Sequence, residues 1–135
     1  MKKYTIDKDI TVACVTAASF PAGVMAAHEA VHAKFAADGN RRFFGISHPG
    51  KTGNIIYKAA AALLPGENSD GLEVFTIKKG IYLSKYIAGF MKDVSQVRTA
   101  FQEILQQPGL DPNGYCLEIY EGDNDVRCMV GLANN

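Results

Sequence analysis

The chain has no tryptophan, only three cysteines, and no surplus of charge of either sign. Fourteen basic residues balance fourteen acidic ones, so no positive field exists to neutralise phosphates, and direct nucleic-acid binding is not expected. Cys14, Cys116 and Cys128 are too few and too widely spaced for a zinc site or a disulfide framework. Reduced thiols in a cytoplasmic protein follow, with neither a metal nor another cofactor expected. The opening MKKYTIDKD lacks the apolar centre of a signal peptide, and no apolar run approaches membrane-spanning length. Nor is there a Ser-His-Asp set or a convincing pair of carboxylates. The string GKTGN (Gly50–Asn54) lacks the first glycine and the strand–helix context of a phosphate loop.

What is present is an ordinary globular balance, 47% hydrophobic in 135 residues, enough for a single domain over 1–135 with one substantial core. Residues 9–20 alternate Ile10, Val12 and Cys14 and predict a strand. Pro21 can open a helix, whose apolar face repeats Val24, His28, Val31 and Phe35 until Gly39 stops it. FFGISH (Phe43–His48) predicts a short strand, and Ile55–Leu64 its hairpin partner. LLPGENSDG is dense in turn formers and marks the midpoint of the chain. Beyond it, residues 71–90 predict an extended strand interrupted at Lys78–Gly80. Val94, Val97, Phe101, Ile104 and Leu105 then return at helical spacing, with Arg98, Gln102, Glu103 and Gln106 opposite. A closing hairpin turns at GDND.

The halves resemble one another. A shift of 66 positions lays FPAGVM (Phe20–Met25) on YIAGFM (Tyr86–Met91), Val31 on Val97 and Phe35 on Phe101. Each helix is followed by strand, turn and strand. The fold expected is therefore α+β: duplicated strand–helix–strand–strand units, pseudo-repeats 9–64 and 71–133, sharing one antiparallel sheet. Both helices lie on one face with a groove between them, and such grooves are where small molecules bind. Should two copies pair as a homodimer, the uncovered sheet face is where they are expected to meet.

One residue breaks the pattern of the closing hairpin, GYCLEIYEGDNDVRCMVGL. Glu118 stands between Leu117 and Ile119, and a carboxylate there must reach solvent, find a partner, or await a ligand that supplies one. If the turn pairs Tyr120 with Val126, Cys128 falls opposite Glu118, a relation that a one-residue slip removes. Gly45 is its approximate counterpart in the first half, which predicts a charge from one half only. His28 and His32 are spaced to share a metal, yet no third ligand accompanies them, and histidines at the groove edge are expected instead.

Taken together, FTIKKGIYLSKYI, GYCLEIY and VRCMVGL resemble the second half of a GyrI-like effector-binding domain, the ligand-sensing module also found in AraC-type and MerR-type regulators. The matching features are Lys79, Gly80 and Tyr82, the strand Glu118–Tyr120, and Met129-Val130 at the close; GISHP (Gly45–Pro49) is similar to the first-half strand and its turn. The resemblance spans essentially the whole chain. It implies a groove floored by Glu118, walled by Tyr82 and Tyr120, and used for multidrug-type recognition of cationic aromatic ligands. An aromatic residue often follows the glutamate in that family; here it is Ile119. Tyr57, Tyr86, Phe90 and His48 complete the candidate ligand-binding set.

The function expected is a stand-alone binder of an amphipathic or cationic aromatic molecule, without a DNA-binding domain of its own. It would act as a ligand sink or as a transcription-related sensor for a regulator protein, and a binder is expected rather than an enzyme. Two alternatives stay open. One is a hydrolase of reactive small molecules, with Glu118 as general base and Tyr82 or Tyr120 orienting the substrate. The other is a protein inhibitor of DNA gyrase, against which the zero net charge mildly counts.

Overall fold

The structure, a computed structural model, describes residues 1–35, 41–122 and 124–133. Within them the chain runs β1 (Lys2–Ile6), β2 (Ile10–Thr16), α1 (Val24–Lys34), β3 (Phe43–Pro49), β4 (Ile55–Ala62), β5 (Glu73–Ile77), β6 (Gly80–Ile87), a single 3-10 turn (Phe90–Lys92), α2 (Ser95–Leu105), β7 (Cys116–Glu121) and β8 (Asp125–Gly131). Gly39 and Asp123, assigned to the end of the first helix and to the hairpin tip, lie outside the described residues. Among the described residues, eight strands form one antiparallel sheet in the order β1-β6-β8-β7-β3-β4-β2-β5.

That order is the expected duplicated α+β fold. Strands β3, β4 and β2 form one half and β7, β8 and β6 the other, meeting where β3 pairs with β7. Two outer strands add to this unit. β1 precedes the first half yet pairs with β6, while β5 precedes the second half and pairs with β2. Each half thus lends a strand to the other. The stretch expected as one interrupted strand is two strands at distant places in the sheet, and Gly80, at φ 144°, supplies a backbone that other residues rarely adopt. β1 escaped the sequence pattern because Lys2 and Lys3 hide the alternation of Tyr4 and Ile6. α1 begins at Val24 rather than at Pro21, since residues 20–23 form a turn in which the Gly23 N–H donates to Ser19 O at 3.0 Å.

Pairing register sorts the side chains into two faces. One carries Val12, Cys14, Phe44, Ile46, Ala60, Leu117, Ile119 and Met129, all buried in one apolar cluster. Ile6 of β1 and Ile77 of β5 belong to it too, although those strands stand at opposite ends of the order. The sheet is therefore curled, and this face closes on itself. The face expected to lie uncovered is a core instead, because eight twisted strands bring their edges round.

The other face receives the helices. Ala27 and Val31 set α1 against β2 and β4, and Ala100 and Ile104 set α2 against β6 and β8. The sequence spacing explains both contacts, since these residues recur on one stripe of each helix. Between the helices lie β3 and β7. Their helix-side residues, Phe43, Gly45 and Ser47 facing Tyr120, Glu118 and Cys116, form the floor of the groove. No helix is long and apolar enough to cross a membrane among the described residues.

Candidate functional site

Glu118 sits on this floor, directly paired with Gly45 on one side and with Cys128 on the other. The hairpin register is the one that sets Tyr120 against Val126. Tyr120 lies two residues along β7 and shares the face; its hydroxyl donates to Glu118 Oε1. Tyr57 reaches across from β4 and donates to the same oxygen at 2.9 Å. The two phenol oxygens stand 3.0 Å apart. Behind them His28 Nε2 lies 2.8 Å from the Tyr57 hydroxyl and 3.4 Å from that of Tyr120. With the Tyr57 proton committed to Glu118, His28 Nε2 must carry a proton and donate to the phenol oxygen.

Gly45 makes this convergence possible. A Cβ at that position would stand 2.1 Å from the Tyr57 hydroxyl and 2.6 Å from Glu118 Oε1, closer than atoms approach without bonding. A glycine inside a strand marks a place where something must come near; here it is the phenol–carboxylate contact itself.

The electrostatics follow from geometry. Glu118 keeps some contact with solvent, yet its surroundings are apolar enough that burial raises its pKa above the usual 4.5, against the two phenols from Tyr120 and Tyr57 that lower it. Burial first, and then the Glu118 charge, push both Tyr57 and Tyr120 far above the ordinary tyrosine value, so both remain donors. His28 is held down to about 4 by burial and, after that, by His32; it is neutral near pH 7. Cys128 is pushed up to about 12, chiefly by burial and next by Glu118, which leaves an inert thiol. The cluster holds a carboxylate fed only by neutral donors. Among the described residues no lysine or arginine forms an ion pair with Glu118. Lys85, next in the row beyond Cys128, is held by Glu103 of α2 at 2.5 Å.

Aromatic rings surround the cluster. Phe20 stacks on Tyr57 with centroids 5.9 Å apart, Phe90 tilts against Tyr120 at 5.8 Å, and His28 meets Tyr120 edge-on at 5.1 Å. Phe20 remains 45% exposed, and Met25 and Met91 are 60% and 54% exposed. Phe20 lies in the turn before α1, Met25 in the first turn of α1 and Met91 in the turn before α2; the internal repeat lays Met25 on Met91.

The expected residues therefore divide. Glu118, Tyr120, Tyr57 and Phe90 come together. Tyr82 and Tyr86 do not, because β6 presents Leu83, Lys85 and Ile87 to the Glu118 side and its tyrosines to the other. Tyr82 is buried on the curled face, donating to Lys78 O at 2.6 Å and lying 2.9 Å from the Tyr115 hydroxyl. Tyr86 bonds Asp125 and lies under the Arg127 guanidinium at 5.0 Å. His48 also faces away from Gly45, its Nδ1 donating to Pro49 O at 3.1 Å. The sequence placed His28 only at the groove edge and singled out Phe20 only as part of the repeat. The helical spacing of His28 with Val24 and Val31 was the available signal for the first; for the second there was none, since the repeat sets Phe20 on Tyr86, which faces the other way.

No family model matches the chain, and no curated protein matches its sequence. Solved structures do share its architecture. An integron cassette protein from the mobile metagenome of Vibrio cholerae superposes with a TM-score of 0.66 at 15% identity, over 97% of this chain and 94% of that one. SAV2435, in a structure bound to tetraphenylphosphonium, superposes with a TM-score of 0.69 at 17% identity, over 98% of this chain and 93% of the other. At such identities the likeness is one of fold.

Proposed function

We propose that this chain binds hydrophobic cationic small molecules in the groove between α1 and α2, with Glu118 as the charged anchor. The observation that carries the reading is a desolvated carboxylate on the groove floor that has phenol donors but no basic partner among the described residues. A cation would supply the missing charge. Phe20, Phe90 and Tyr120 would each add cation–π attraction of roughly 0.5–2 kcal/mol, and the exposed Met25 and Met91 are adaptable apolar lips. The resemblance to GyrI-like domains supports the same class of guest, as does a neighbour in fold that carries a lipophilic phosphonium. Ligand sequestration, or sensing on behalf of a regulator protein, is the output in keeping with such a groove. Inhibition of DNA gyrase draws on the family resemblance alone.

Calorimetric titration with tetraphenylphosphonium tests the reading. Glu118→Gln keeps the shape and an acceptor for the phenols but removes the charge. It is expected to weaken binding by about tenfold or more, ~1.4 kcal/mol; equal affinity for both proteins would sink the anchor.

A second reading uses the same atoms. A carboxylate whose pKa is raised, beside an orienting phenol, is suited to take a proton from water, so Glu118 with Tyr120 could hydrolyse a reactive guest. Turnover by the wild type that Glu118→Gln abolishes would select this reading over simple binding.

A further inference from the structure

We infer that a proton and the guest's positive charge compete for one atom, Glu118 Oε2, so that cation binding expels a proton and weakens as the pH falls. This rests on the binding role proposed above and adds its regulation. Valence at the carboxylate sets up the competition. Oε1 accepts from Tyr57 at 2.9 Å and from Tyr120, and no basic side chain among the described residues pairs with either oxygen. Oε2 takes no hydrogen bond from the described residues and is not sealed from solvent. A protonated carboxyl places its hydrogen on the oxygen that is not already accepting, which is Oε2. The guest's charge has only that oxygen left to approach. One site cannot hold both.

The other titratable and charged groups facing Glu118 are few. On β7 these are Tyr120 and Cys116, on β4 Tyr57, and on β8 Cys128. Burial keeps all four protonated. β3 presents Gly45 and Ser47, neither of which titrates. From α1 come His28, which burial keeps neutral above about pH 4, and His32, stacked on Phe43 at 3.9 Å. From α2 comes Glu103, which engages Lys85 of β6. The two phenols play a double part. They stabilise the anion enough for a cation to find it, while apolar surroundings make the neutral acid the better guest-free state as the pH drops.

The test follows tetraphenylphosphonium binding by calorimetry from about pH 5 to 8 in two buffers of different ionisation enthalpy. The Glu118 carboxyl carbon resonance is followed with and without the cation. Proton release on binding is expected, with affinity falling by up to about tenfold per pH unit below the Glu118 midpoint and that midpoint moving down when the cation is present. His28→Gln and His32→Gln should both retain the release, whereas its loss in either, with the Glu118 midpoint unmoved, would assign it to a histidine and overturn the competition. Wild-type binding that is indifferent to pH and releases no proton would overturn the inference and leave the binding role standing. Absence of binding at every pH would overturn both.

Discussion

The two halves of this molecule share an order of elements and a way of packing, yet they bring different things to the groove. The second half supplies the charge, Glu118, and a phenol beside it on the same strand. The first supplies space at the facing position, through Gly45, together with a second phenol on β4 and a histidine on α1. Their helices differ too: α1 turns His28 and His32 toward the floor, while α2 packs Val97 and Phe101 beside Ile104 and Val130. A pseudo-twofold fold does not require a twofold site. Two glutamates facing each other across β3 and β7 would repel in apolar surroundings, and two glycines would leave nothing to bind. The asymmetry is what makes the centre chemically useful.

The comparison can be broken most forcefully at Gly45. Gly45→Ala places a methyl where the Tyr57 hydroxyl and Glu118 Oε1 now meet, and overpacking of this kind costs about 3 kcal/mol. A lowered midpoint in urea denaturation is the expected outcome, with the Tyr57 hydroxyl and the Glu118 carboxylate forced apart. An unchanged midpoint would mean that the first half contributes no special space.

Acid separates the halves next. The folded pKa of His28 is about 4, below the usual 6.5, so between these values the unfolded chain binds more protons and stability falls as the pH falls. Glu118 runs the other way. Its folded pKa lies above 4.5, the folded state holds the extra proton, and its contribution is lost as the pH rises through that folded value. His28→Gln should flatten the acid-side loss, on the order of 2 kcal/mol by pH 4, measured by thermal melts across pH. A slope that survives the substitution would remove His28 from the account.

The finest cut compares the two phenols. Tyr57→Phe and Tyr120→Phe each remove one donor from the same oxygen and should each cost about 1 kcal/mol while raising the Glu118 midpoint further. If only one of them moves that midpoint, the halves do not share the stabilisation of the anion.

Much of this is legible in the order of the residues. Hydrophobic spacing marks the two helices, the turn residues bound the hairpins, and the repeat predicts a shared sheet with a groove. Glu118 declares itself because a charge between Leu117 and Ile119 violates the strand pattern, and Gly45 because the repeat sets a glycine against it. Strand β1 is hidden by its lysines, and the break at Lys78–Gly80 conceals that β5 and β6 part company. The tyrosines divide for a reason no pattern supplies. Alternation along β6 says that Tyr82 and Tyr86 share a face, but not which face, and a shift of one residue against β8 would have turned them toward Glu118.

The sequence by itself therefore determined the elements and the misplaced charge, since periodicity and burial cost are local properties. Tertiary structure alone decided the company Glu118 keeps. Tyr57 is 61 residues away along the chain and His28 is 92 from Tyr120, and only the pairing of β3 with β7 over a bare glycine brings the two phenols to one carboxylate oxygen, with His28 behind them.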